Sequence, residues 1–277
     1  TDAACHDGAT GAIDLGVSGG SPGYTYQWTG PNTYTGATQD IANATAGTYS
    51  VTVTDLNGCS ATASTSIAQP AAITASADVI TTSCQGANTG AIDLTVTGGT
   101  PGYTYLWTGF PAYSATTQDI SSLFAGVYSV AITDAHGCVA NTNYNVGEPG
   151  LFDISAELSN YVGGYNVSCA TANDGSIDAT VTGGSPGYTY FWNGPDGFTA
   201  IDPDITGLAP GEYSLTVHDA NGCNASASFT LTAPTSIAIG LAASTFPGGN
   251  NTGCDGSSDG SIDATIAGGI APYTIQW

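Results

Sequence analysis

Lysine, arginine and methionine are absent from the 277 residues, which carry 22 acids and a formal net charge of −22. Ordinary usage would supply roughly 30 basic residues in a chain of this length, so whole classes of function drop out. Nucleic-acid binding needs cations against phosphate, Schiff-base chemistry needs a lysine amine, and attachment to an anionic membrane surface needs a basic patch. Lysine–asparagine isopeptide cross-links are equally impossible, and trypsin-like proteases find no site. The acids can pair only with His6, His136, His218 or an amino terminus. Their mutual repulsion otherwise stiffens and solubilises the chain and leaves divalent cations as the obvious neutraliser; no cofactor is expected beyond calcium in that role. No secretory leader or membrane span is visible, so no membrane insertion is expected.

What is present is a repeat. One 54-residue interval recurs without insertion from Cys5 to Cys59, Cys84 to Cys138 and Cys169 to Cys223. Asp14, Asp93, Asp178 and Asp263 stand nine residues past the opening cysteine, and Trp28, Trp107, Trp192 and Trp277 twenty-three past it. Pro70, Pro149 and Pro234 fall sixty-five past it, and the length variation is confined to the spacer that follows, 14 residues once and 20 twice. Such self-similarity means stacked units, with boundaries predicted at 1–70, 71–149, 150–235 and 236–277. The first unit lacks its opening strand and the fourth stops after Trp277, which reads as a window on a longer chain. The competing expectation is that a neighbouring subunit completes these ends by strand addition.

Seven cysteines in fixed register, in units with modest cores, read as one disulfide per unit and therefore as an oxidising, extracellular setting. Two cysteines in each complete unit predict the pairs Cys5–Cys59, Cys84–Cys138 and Cys169–Cys223, with Cys254 left over. A bridge over such a loop stabilises by roughly 4 kcal/mol in the chain-entropy model. A zinc site is excluded by the wide spacing, the absence of CxxC and the lack of a histidine at constant register.

Within the second unit, ITASADV alternates Ile73, Ala75, Ala77 and Val79; AIDLTV alternates Ile92, Leu94 and Val96 and puts Asp93 on the wet face. GGTPG is a turn. YTYLW follows, then a short strand from Asp119 and Ile120, then a strand turning Tyr128, Val130 and Ile132 inward, then a last strand from Cys138 toward Val146. The residues between the last two are predicted to form a tight hairpin of the Asn-Gly kind. Six or seven short strands with turns every 8 to 12 residues predict an all-β chain of tandem immunoglobulin-like sandwiches arranged as an elongated rod. The tryptophans are expected between the sheets.

The segments GGSPGYTYQW, GGTPGYTYLW and GGSPGYTYFW, each followed by AGTYSVTVTDLNGC, AGVYSVAITDAHGC or PGEYSLTVHDANGC, resemble the SprB-type repeats of large surface adhesins. The fourth unit reads GGIAPYTIQW and keeps the spacing. The resemblance implies the shaft of a cell-surface or secreted filament, whose partners are adjacent repeats or copies of itself. It is silent about ligand.

Other candidate sites have bland readings beside them. DLNG, DAHG and DANG, beginning at Asp55, Asp134 and Asp219, lack the further carboxylates of a calcium loop and read as turns in which Asp bonds its own backbone. Asp14, Asp93, Asp178 and Asp263 are the candidate calcium ligands. Asn43, Asn166, Asn224 and Asn250 open glycosylation sequons. No Ser/His/Asp set recurs between units, so no catalytic centre is expected. The rival function is glycan binding by exposed aromatics such as Tyr34, Tyr113 and Phe198; a spacer of a secreted multidomain enzyme would read the same.

Overall fold

The computed structural model describes residues 1–277 as strands joined by turns, with two short 3-10 segments and no α-helix. It divides into two compact units, Thr1–Glu148 and Pro149–Trp277. In the first unit, one repeat contributes β1 (Gly11–Ile13), β2 (Thr25–Thr29), β3 (Thr35–Gly36), β4 (Ile41–Ala44), β5 (Gly47–Thr54) and β6 (Ser60–Ile67). The next contributes β7 (Thr74–Ile80), β8 (Gly90–Thr97), β9 (Thr104–Gly109), β10 (Tyr113–Ala115), β11 (Ile120–Leu123), β12 (Gly126–Thr133) and β13 (Val139–Val146). The second unit holds β14 (Asp153–Leu158), β15 (Gly175–Thr182), β16 (Thr189–Asn193), β17 (Thr199–Ala200), β18 (Ile205–Leu208), β19 (Gly211–His218) and β20 (Asn224–Leu231), then the hairpin of β21 (Ala238–Ala243) and β22 (Ile262–Ala267).

Each complete repeat is a seven-stranded, antiparallel, immunoglobulin-like sandwich. A four-stranded sheet in the order β10-β9-β12-β13 faces a three-stranded sheet in the order β11-β8-β7, and β17-β16-β19-β20 faces β14-β15-β18 in the same way. The first repeat has β3-β2-β5-β6 against β1 and β4 alone. Period-two alternation sets the core: Trp107, Tyr128, Val130 and Ile132 from one sheet meet Ile92, Leu94, Ile120 and Leu123 from the other. A buried tryptophan removes about 150–250 Å² from water, worth roughly 4–6 kcal/mol of transfer free energy. Trp28, Trp107 and Trp192 fill this place and donate Nε1–H to the carbonyls of Thr38 (2.9 Å), Thr117 (3.0 Å) and Asp202 (3.1 Å). Trp277 departs from the expectation: it is 77% exposed, since no four-stranded sheet faces β21 and β22.

A second constant anchor lies at the start of the long central strand. The hydroxyls of Tyr49, Tyr128 and Tyr213 donate to the carbonyls four residues upstream, of Thr45 (3.1 Å), Phe124 (3.0 Å) and Ala209 (3.0 Å), the tyrosine corner of immunoglobulin-like domains. A Cβ on Gly30, Gly109 or Gly194 would collide with these rings, so glycine is required there for close approach.

Strand direction places the cysteines. β7 and β8 pair from Thr74↔Thr97 to Ile80↔Ala91, so the chain enters the repeat at a proximal pole near Ala71 and reaches Cys84 at the distal one. There Thr82 N–H donates to Gly147 O at 3.0 Å, where the chain leaves. The hairpin 134–138 lies at the proximal pole: Ala135 N–H donates to Thr100 O (3.2 Å), and Gly99 N–H to Ala71 O (2.8 Å). Opening and closing cysteines of one repeat are thus separated by the length of an eight-residue strand, about 26 Å. A bridge needs Cα atoms within about 7 Å.

Candidate functional site

The chemistry of this chain concentrates at the joint between the first two repeats. The distal loop of the first carries Cys5, and the proximal hairpin of the second carries Cys138. They are joined by a disulfide with Cα atoms 5.7 Å apart, across 133 residues of sequence. Cys59, Cys169 and Cys254 are free and exposed, while Cys84 and Cys223 are disulfide-bonded. The predicted pairs Cys5–Cys59, Cys84–Cys138 and Cys169–Cys223 are therefore corrected: cysteines of one repeat lie at opposite poles, and Cys5 meets the pole of its successor.

Backbone bonds fix both sides of the joint. Ala3 N–H donates to Ala68 O (2.9 Å), Ala68 N–H to Asp2 Oδ1 (2.8 Å), and Asp7 N–H to Gln69 Oε1 (2.8 Å), so the cysteine loop is tied to the linker leaving its own repeat. His6 Nδ1 lies 3.2 Å from Pro70 O. The second repeat repeats this tie with Gly86 N–H donating to Glu148 Oε2 at 2.9 Å. A groove of about 450 Å³ lined by Cys5, His6, Pro70, Ile73, Asp134 and Cys138 runs along the joint.

The closing cysteine is held by an aspartate clamp. Asp134 Oδ1 accepts from the N–H groups of His136 and Cys138, and Oδ2 from Thr100 N–H, each at 2.9 Å. Asp55 and Asp219 do the same for Cys59 with Ser21 and for Cys223 with Ser185. The Thr100 N–H leads in holding the Asp134 carboxyl below the usual carboxylate range, against the opposing effect of burial. For Asp219 burial is the largest single influence and pushes upward, but the N–H groups of Ser185, Cys223, Asn221 and Gly222 together outweigh it. These aspartates bond their own backbone, as expected, and also a loop 34 residues away. The turn itself differs from the expected Asn-Gly type. Gly137 N–H returns to Asp134 O, only Gly137 has positive φ (+81°), and Asp134 N–H closes on Cys138 O, a three-residue loop with glycine at the bulge.

The other candidates stay apart. Asp14, Asp93, Asp178 and Asp263 are exposed, one per repeat, and no group of three or more potential ligands converges on a metal position. Asp93 faces Asp78 and Asp178 faces Glu157 across strand pairs. The Asp204 charge, followed by burial, raises the Asp178 pKa above the usual carboxylate value. Sequence reasoning missed the role of Asp40, Asp119 and Asp204, which accept the N–H groups of Leu15 (2.9 Å), Leu94 (2.9 Å) and Ala179 (3.0 Å); their constant offset of thirty-five from the opening cysteine was the available signal.

Among the sequons, Asn43, Asn224 and Asn250 are exposed. The Asn166 amide is occupied: Nδ2 donates to Ser159 O (2.9 Å) and Oδ1 accepts from Thr232 N–H (3.0 Å), which closes the longer spacer. Tyr34, Tyr113 and Phe198 share one position, twenty-nine past the opening cysteine. They pack edge-on against the corner tyrosines Tyr49, Tyr128 and Tyr213, with centroids 5.4, 5.3 and 5.4 Å apart.

The family model of the SprB repeat matches residues 1–33, 82–110, 154–197 and 250–277, in each repeat the region around the opening cysteine and the tryptophan strand. No curated protein matches the sequence. A solved structure described as a tetra-tandem repeat in the extending region of a large adhesion protein is similar over 97% of this chain and 82% of its own, at 11% identity and TM-score 0.28. One concerned with Dscam isoform specificity is similar over 76% of this chain, at 11% identity and TM-score 0.27. This chain spans 65% of that structure's length.

Proposed function

This chain is a SprB-type repeat protein, and from that premise we propose that it is a structural segment of an extracellular filament or surface adhesin. In this reading its tandem sandwiches extend reach and resist force. The observation that carries it is the Cys5–Cys138 bridge, which supports a load-bearing role because it ties one sandwich covalently to the next at their meeting poles. An isolated binding module would gain nothing from a locked joint. The absence of basic residues deprives trypsin-like proteases of sites, which suits long residence outside a cell. No helix is long and apolar enough to cross a membrane. In this reading the segment acts through its shape and its joints.

Cryo-electron microscopy of the native particle tests this. Uniform fibres with an axial repeat of one or a few sandwiches are the expected result. Short rods carrying an unrelated terminal domain would refute it and make these repeats spacers.

A further inference from the structure

We propose that the bridge is a register rule. The opening cysteine Cys5 bonds Cys138, the closing cysteine of the repeat that follows, and Cys59 and Cys169 are half-joints, thiols presented for the complementary cysteine of another repeat of this type. The rule deepens the structural reading but rests on the joint itself, so its failure and the failure of the filament reading are separable.

Three observations carry it. The oxidation pattern is the first: Cys5 and Cys138 are bonded to each other across two repeats, Cys84 and Cys223 are oxidised, and Cys59, Cys169 and Cys254 are free. Pairing within repeats would leave Cys254 alone. Secondly, the closing cysteines share one presentation whether or not they are bonded: the N–H of Cys59, Cys138 and Cys223 each donates to the clamping aspartate at 2.9 Å. The opening cysteines likewise share one turn, in which the carbonyls of Cys5, Cys84, Cys169 and Cys254 each accept the N–H three residues on at 3.1 Å. Thirdly, the linker geometry places the distal loop of one repeat against the proximal hairpin of the next, with Cys138 Sγ 3.4 Å from Ala4 O. Cys59 and Cys169 are therefore more than isolated thiols: each is the unbonded copy of a position that is bonded elsewhere in the same chain.

Closing a half-joint needs a disulfide oxidant such as oxidised glutathione. The Cys59 thiolate attacks one sulfur of the oxidant and expels a thiol. An incoming opening-cysteine thiolate then attacks the Cys59 sulfur and expels the second. Two protons and two electrons pass to the oxidant for each bridge formed.

The test begins with rapid alkylation of the denatured, unreduced chain, followed by cleavage before aspartates and mass mapping. Three alkylated cysteines, a Cys5–Cys138 peptide and no bridge within a repeat are expected. One alkylated cysteine, with peptides joining Cys5 to Cys59 or Cys84 to Cys138, would overturn the rule. In a second arm the folded chain is held at high concentration in a glutathione redox buffer. Covalent oligomers joining Cys59 of one copy to Cys169 or Cys254 of another, and lost in Cys59→Ser, are expected. No oligomer, or oligomers that persist in Cys59→Ser, would overturn the assignment of half-joints.

Discussion

Replacing Cys138 by serine separates the two ways of pairing these cysteines thermodynamically. The Cys5–Cys138 bridge closes a loop of 133 residues, for which the chain-entropy model gives about 5 kcal/mol of stabilisation through the unfolded state. That is a large part of the stability of a small domain, ordinarily about 5–15 kcal/mol. Cys138→Ser and Cys5→Ser should each lose about this much, and the double variant should lose no more than either single one, because the two side chains act as one unit. Cys59→Ser, at the equivalent position of the first repeat, should lose almost nothing, since its thiol is free and exposed. Urea unfolding followed by tryptophan fluorescence reads the difference, Trp28 and Trp107 being buried reporters of the two joined repeats. The variants that lack the bridge should also show a larger m-value, because their unfolded chains expand further. Addition of reductant should bring the wild type down to the level of Cys138→Ser and leave that variant unmoved. Equal losses in Cys59→Ser and Cys5→Ser, with an additive Cys5→Ser/Cys138→Ser double variant, would refute the argument and restore pairing inside each repeat.

Other perturbations follow from the cores and surfaces. Trp192→Ala should cost about 3–5 kcal/mol by vacating a buried aromatic site, while Trp277→Ala should change the unfolding midpoint little, since that ring is largely in water. Tyr128→Phe removes the corner bond to Phe124 O and should cost about 1 kcal/mol; the same loss is expected of Tyr49→Phe and Tyr213→Phe in their own repeats. Asp178→Asn should raise the urea midpoint at neutral pH. The folded-state pKa of Asp178 is raised, chiefly by Asp204, so ionisation costs stability above that pKa, and the cost disappears below the unfolded value of 3.8. The advantage of the variant should therefore vanish on acidification and shrink with added salt; a gain unchanged at low pH would contradict the cause. Asn166→Gln should destabilise the third repeat by breaking the spacer bonds, whereas Asn224→Gln and Asn250→Gln should be nearly neutral in urea unfolding.

Much of the sandwich was legible because its determinants are local. Period-two alternation located β7, β8, β9, β11, β12 and β13, and the constant tryptophan register identified Trp28, Trp107 and Trp192 as core. Asp134 could be read as a turn residue from DAHG alone, since two of its three carboxylate bonds stay within five residues. The third, to Thr100, needs the two proximal loops to be adjacent, and no spacing announces that. The same holds for Asn166, whose sequon looks like any other until the longer spacer folds back onto Ser159 and Thr232.

The disulfide pairing failed for a reason that can be counted. Whether two cysteines share a pole depends on the parity of strands between them, as each antiparallel strand carries the chain from one pole to the other. Between Cys84 and Cys138 the sequence pattern supplies β8, β9, β11 and β12, an even number, which returns the chain to the pole where it began and makes a bridge inside the repeat reasonable. The structure adds β10, three residues paired with β9 at Tyr113↔Gly109 and Ala115↔Trp107. Five passages end at the opposite pole. A strand that short, on a sheet edge and carrying one half-buried tyrosine, leaves almost no alternation to detect, yet it decides the covalent topology: with Cys138 at the proximal pole, its reachable partner in the first unit is the distal loop of the preceding repeat, and Cys5 stands there.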